Sequence, residues 1–274
     1  MDSGRRQGAD RASGGGGPGL TLTLAEALGI VTDDVVALVG GGGKTTAMFR
    51  LAREIAERGE QALTTTTTHI FGEQIALAPA HVGAGEATRD RIRAALTAHR
   101  HVLVVGPIDS VTGRAAGISP ELVSRLRAWC PRACLIVEAD GSRRLPFKAP
   151  ADHEPVIPPE TTVVVPVVGA DVFGARLDAA HVHRPERVSA LSGAAVGATV
   201  TPEIVARVLT HPDGGLKNVP ERARVVVLIN KAELLSNREP ARETADRLLR
   251  EPAIASVVLA AAGADKPVLE VCTR

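Results

Sequence analysis

Seven short apolar runs, most of them β-branched, recur along the 274-residue chain: Val35–Val39, Gln61–Thr68, His101–Gly106, Cys134–Ala139, Thr161–Val168, Arg224–Ile229 and Ala255–Ala261. Each has the length of a strand, and most are apolar at consecutive positions, the pattern of strands covered on both faces. Gln61–Thr68 owes its β character to its threonines, and His69 closes it. Helical period appears at 21–30, ending at Gly29, at 44–58, with Gly59 as a natural stop, and over Glu86–His99. Ser119-Pro120-Glu121 and Thr201-Pro202-Glu203 each place a capping hydroxyl before a first-position proline, the second opening a helix to His211, and Pro240–Arg250 is helical again. Strands alternating with helices predict an α/β fold, a mostly parallel sheet flanked by helices. Asp140–Glu160 breaks the alternation with five prolines and no apolar period, and a loop this long in a compact domain is usually functional. Residues 171–200 are mixed, with His and Arg clustered at 181–187.

Composition narrows the picture. Residues 21–274 are expected to form a single domain, and residues 1–20, Gly-rich with no apolar core segment, a disordered tail. The net charge of +1 and the presence of four Phe, one Trp and no Tyr argue against a nucleic-acid partner. No run is apolar and long enough to span a membrane, so cytoplasmic residence is the default expectation. Cys130, Cys134 and Cys272 make no disulfide framework, and Cys134, at the head of an apolar run, is expected to be a buried thiol.

The chemistry centres on Gly40-Gly41-Gly42-Gly43-Lys44-Thr45-Thr46, between the first strand and the helix that follows. Glycines let backbone N–H groups approach a ligand, and a helix start adds free N–H groups and the positive end of its dipole. The expected result is a phosphate cradle for ATP or GTP, with Lys44 on the β/γ-phosphates and Thr45 on Mg²⁺. The Walker A spacing would put glycine at Leu38, and the K-G-G-x-G-K-T variant would put lysine at Val39. What remains is G-G-x-G-K-T in its proper strand-to-helix context. Gly14–Gly17 has neither a strand before it nor a helix after it, and is expected to be linker.

Three further constellations follow. Glu138 ends an apolar strand, where a nucleotide-binding sheet places an acid for Mg²⁺, and Asp140 and Gly141 are candidates for water activation and for the γ-phosphate. Asn230-Lys231-Ala232-Glu233 follows a late strand, as the base-reading N-K-x-D of guanine-binding proteins does. A carboxylate there leans towards GTP, because it would stay unpaired against adenine. The third set is polar: Thr68 and His69 after the second strand, Arg143, Arg144, Lys148, Asp152, His153 and Glu154 in the long loop, then Asp171 and His181-x-His183-Arg184-Pro185-Glu186. These could hold a second, anionic ligand. His181-x-His183 alone is a weak zinc signal.

In this order the G-G-G-G-K-T-T cradle, the Thr-His-Ile end of the threonine run, E-A-D-G-S-R, P-F-K-A-P-A-x-H-E-P-V-I-P, V-V-G-A-D-x-F-G, H-R-P-E and I-N-K-A-E resemble the YqeC family, over about residues 21–262. Its members are described as selenium-dependent hydroxylase accessory proteins or selenium cofactor biosynthesis proteins. The resemblance implies a P-loop NTPase-like three-layer architecture. It puts the nucleotide on Gly40 to Thr45, the acidic strand end on Glu138, and a family-specific loop on Lys148, His153 and Glu154. It also implies a molybdenum hydroxylase client or a selenium species as partner. The E-x-x-G form of the acidic strand is similar to that of metal-insertion GTPases for nickel enzymes. The leading expectation is an NTP-dependent maturation factor whose loops at 140–155 and 64–71 reset on hydrolysis or release. A small-molecule phosphoryl transferase and a nucleotide-gated binding module without turnover are the alternatives.

Overall fold

The computed structural model describes residues 22–274, so the expectations for the glycine-rich start of the chain fall outside the described residues. Nine strands form one sheet: β1 (Val35–Gly40), β2 (Ala62–Thr66), β3 (His81–Gly83), β4 (His101–Val105), β5 (Cys134–Glu138), β6 (Val163–Gly169), β7 (Arg224–Asn230), β8 (Ile254–Ala260) and β9 (Val268–Cys272). Their order is β9-β8-β7-β6-β1-β5-β2-β4-β3. Every pairing is parallel except β8 with β9. The α/β sandwich read from the sequence is therefore the observed one.

Alternation along the strands sorts the core into two faces. Val36, Leu38, Ile136, Val165 and Leu228 pack under α1 (Leu24–Ala27) and α2 (Lys44–Glu57), and Ile75 of the one-turn α3 (Gly72–Ile75) joins the same cluster. On the opposite face, one half of the sheet packs on α4 (Arg89–His99) and α5 (Pro120–Trp129). The other half packs on α6 (Pro185–Ser192), α7 (Pro202–Thr210) and α8 (Glu239–Leu248). A fully buried side chain such as Leu38 contributes about 2 kcal/mol by leaving water. Buried Glu54 of α2 accepts from the N–H groups of Leu24 and Ala25 at 3.1 and 2.8 Å, which satisfies the first turn of α1 and ties it down.

Several elements differ from the sequence expectation. The first helix is only Leu24–Ala27, closed by a Thr23/Glu26 capping box. β3 has three residues, too few to carry a period, and β9 is an antiparallel edge strand whose positions are partly exposed. The 171–200 segment contains α6, which starts after Arg184 in the left-handed region (φ 64°). The long loop after β5 holds one two-residue strand, Phe147–Lys148, paired in parallel with Val182–His183. Ser119 and Thr201 cap their helices as expected.

Topology locates the site. From β1 the chain runs towards the β3 edge, returns to β5 beside β1, then crosses to β6 and the other half of the sheet. The carboxyl end of β1 is thus the point where chain direction diverges, the usual crevice for a ligand in an open α/β sheet.

Candidate functional site

The glycine run makes the turn from β1 into α2, but its N–H groups are used unevenly. The Gly40 N–H lies 3.0 Å from each Asp140 carboxylate oxygen, Gly41 donates to Val167 O at 2.9 Å, and Gly42 to Leu145 O at 3.1 Å. The N–H groups of Gly43, Lys44, Thr45 and Thr46 have no protein acceptor among the described residues, as expected at a helix start. The groups open to a ligand therefore begin only at the last of the four glycines, because Asp140, Val167 and Leu145 take the N–H groups of the first three. Gly42 has φ 82° and passes so close to β6 that an added Cβ would lie 2.0 Å from the Gly169 nitrogen. Only glycine fits that crossing.

Two carboxylates from the end of β5 meet the cradle. The Lys44 ammonium lies 2.6 Å from Gly40 O, 3.3 Å from Asp140 Oδ1 and 3.7 Å from Glu138 Oε1. The Thr45 hydroxyl donates to Glu138 Oε2 at 2.8 Å. Burial pushes the Glu138 carboxyl above its ordinary range, against the opposing pull of Lys44 and Thr45. Asp140 is shared: buried Lys148 sits 3.0 Å from its Oδ2 and also 2.6 Å from Glu154 and 2.7 Å from Gly141 O. Arg184 closes the network with two bonds to Glu154, at 2.8 and 3.2 Å. Burial disfavours the charged Glu154, but Arg184 and Lys148 outweigh it and hold its carboxyl at about 2. His183 is pushed down to about 4 by burial and by the positive Arg184, Lys148 and Arg143.

A family model described as "YqeC protein" matches residues 36–186, which contain the cradle, both carboxylates of β5, the long loop and the Arg184 turn. The chain belongs to the YqeC family. The "Uncharacterized protein YqeC" of Escherichia coli (strain K12) is 32% identical over 210 residues, covering 74% of this chain and 78% of that relative.

In this YqeC-family chain the cradle opens into a cleft of ≈ 1060 Å³. Of the candidate residues read from the sequence, Gly43, Lys44, Thr45, Thr46, Thr68, His69, Glu138, Gly141, His153, Glu154 and Lys231 line it. Gly40, Gly41, Gly42, Asp140 and Lys148 lie behind that wall, and Lys148 acts there by holding Asp140 and Glu154. Asn230 is buried with both ends of its amide in use. It donates to Gly42 O and accepts from Ala262 N–H, each at 2.9 Å, so it staples the cradle rather than presenting itself to a base. Glu233 is exposed on a short turn and does not line the cleft. Lys231 lines it while paired with Asp171 at 2.7 Å. His181 pairs with Asp178 outside the cleft, and no cluster of three or more potential metal-binding His, Cys, Asp or Glu occurs among the described residues. Arg143 and Arg144 of the long loop line it too, as their place among the polar candidates led one to expect, whereas sequence reasoning passed over Phe71 and Arg114, which no motif marks.

Proposed function

We propose that this chain is a Mg²⁺–NTP-binding accessory factor in the maturation of selenium-dependent molybdenum hydroxylases or their selenium cofactor. The observation that carries the nucleotide reading is the helix start. Four N–H groups without protein acceptors, Gly43 to Thr46, stand at the cleft beside the Lys44 ammonium. That is the chemistry of a polyphosphate site. The selenium role rests on family membership and on the loop from Lys148 to Pro155.

The donors suit magnesium, which takes hard oxygen ligands. Thr45 Oγ1 and Glu138 already touch, and Glu138 is a buried carboxylate with its charge incompletely offset. These two would hold the ion, directly or through water. Bound there, Mg²⁺ would neutralise charge on the β- and γ-phosphates. Lys44 would exchange its contact with Gly40 O for phosphate oxygens. Asp140, behind the cleft wall, keeps the cradle in register through the Gly40 N–H, and hydrolysis requires an orienting group for water, a role open to Glu138, which lines the cleft.

Calorimetric titration of ATP and GTP, with and without Mg²⁺, tests this. Saturable binding strengthened by Mg²⁺ is the expected result, and absence of binding by both nucleotides would overturn it. The preference for GTP keeps Lys231, which lines the cleft, but Glu233 stands outside it and would have to swing over the base to contribute. ATP binding as tight as GTP, unchanged in Glu233→Ala, would remove that preference while leaving the nucleotide site standing.

A further inference from the structure

At ≈ 1060 Å³ the cleft stands at the upper end of the about 300–1,000 Å³ range of small-molecule sites. Strand order gives it two ends. Lys231, after β7, lies on one side of the cradle, and on the other side β5, β2 and β4 follow in turn. The loops after those three strands carry the second end. Arg143 and Arg144 follow β5, His69 and Phe71 follow β2, and Arg114 follows β4. The pairing of Ile70–Phe71 with Arg114–Ala115 fixes the last two side by side.

Phe71 gathers the arginines. The Arg114 and Arg144 guanidinium carbons lie 4.9 and 4.0 Å from the centre of its ring, a cation–π arrangement that holds both groups at one spot. Both Arg143 and Arg144 adopt positive φ, 52° and 64°, a backbone cost of the kind found at ligand sites.

Charge accounting separates this end from the rest of the cleft. Lys44 is met by Glu138 and Asp140, Arg184 by Glu154, Lys231 by Asp171, and Arg144 by Glu73 at 3.2 Å. Arg114 and Arg143 have no carboxylate partner among the described residues. Two uncompensated guanidiniums facing one cavity match a dianion better than a single carboxylate, and their planar forks suit phosphate oxygens.

We propose that the Phe71–Arg114–Arg143–Arg144 wall binds the phosphate group of a second, smaller ligand, a phosphate monoester, across the cleft from the cradle. The proposal leans on the nucleotide reading only for what fills the cradle, because the two ends are lined by different side chains.

Titration of the full chain with inorganic phosphate, followed by the imidazole NMR shifts of His69 and His183, tests it. Wild type and Lys44→Ala should both show saturable shifts. Arg114→Ala/Arg143→Ala should weaken them at least tenfold, Arg114→Lys/Arg143→Lys should recover part of the loss, and acetate should bind far more weakly than phosphate. A melting profile for each variant confirms folding. Shifts abolished by Lys44→Ala but unchanged in the double arginine variant would overturn the second site and leave the nucleotide site intact. No phosphate response in wild type, or equal affinity for acetate, would overturn it as well. Loss of nucleotide binding alone would strike the cradle and not this wall.

Discussion

Glu138 and Glu154 line the same cleft and sit in opposite electrostatic situations. Glu138 has one ammonium at 3.7 Å and one hydroxyl at 2.8 Å, and burial raises its pKa. Glu154 has the Lys148 ammonium at 2.6 Å and a two-bond Arg184 fork, and its carboxyl is held at about 2. One carboxylate is incompletely neutralised and the other is saturated. A buried group short of positive charge is suited to receive a cation, whereas a saturated one holds elements together. In the proposed function the β5 end receives the cation, and the 148–184 clamp supports it. Asp140, which touches both lysines, joins the two regions.

The severest way to break the binding region is Lys44→Ala. It removes the charged donor expected on the phosphates, so Mg²⁺–NTP affinity should fall about a hundredfold. It also leaves Glu138 without its ammonium, at a cost that shrinks as the pH falls and Glu138 takes up a proton. Calorimetry and thermal melts at pH 5 and pH 8 check both arms. Glu154→Gln should act on the fold instead, destabilising it by about 3 kcal/mol in urea at pH 7, because two cations lose the carboxylate they share: Arg184 loses its carboxylate partner and buried Lys148 keeps Asp140 alone. Its acid profile has a defined sign. A folded-state carboxyl near 2 stabilises above the unfolded value of 4.5, and that stability disappears as the pH falls through the window from 4.5 to about 2. The variant should lack this component.

How much of this was legible beforehand follows the same division. Lys44 and Thr45 open α2 and Glu138 ends β5, all within local motifs, and the structure brings the three side chains together. The sheet was legible because its strands are buried on both faces and so are written as apolar runs. β3 and β9 were not, being a three-residue element and a half-exposed edge. The clamp joins β5, the long loop and the α6 start, and its pairings are set by the Phe147–Lys148/Val182–His183 ladder, which no periodicity announces. Asn230 shows the limit of motif reading. Its position suggested base recognition, while its amide is spent on Gly42 and Ala262. The occupied N–H groups of Gly40 to Gly42 were equally hidden, since their acceptors lie on the β5, 145 and 167 segments.

Glu138→Gln sharpens the contrast with less disruption. Lys44 keeps Asp140, so stability at pH 7 should change by less than about 1 kcal/mol. The strengthening of NTP binding by Mg²⁺ should nevertheless disappear. The pH dependence also reverses relative to Glu154. A raised folded-state pKa stabilises the protonated form, so wild type loses this contribution as the pH rises from 4.5 through the raised value. The glutamine variant should be flat in that window. A variant that still binds nucleotide more tightly with Mg²⁺ would remove Glu138 from the metal site.

The smallest effect is expected from Arg184→Lys, and it tests what saturates Glu154. Lysine keeps the positive charge but gives up the planar fork, so one of the bonds at 2.8 and 3.2 Å is lost. Both residues tolerate the positive φ of this position equally, so backbone strain does not enter the difference. A loss of about 1 kcal/mol in urea is expected, the worth of a single hydrogen bond, with the carboxyl of Glu154 still depressed by Lys148. Loss as large as that of Glu154→Gln would mean that the two-bond geometry, rather than the charge count, holds the clamp. The contrast with Glu138 would then be one of fixed orientation against freedom to accept a metal, and Arg184 would be the residue that sets it.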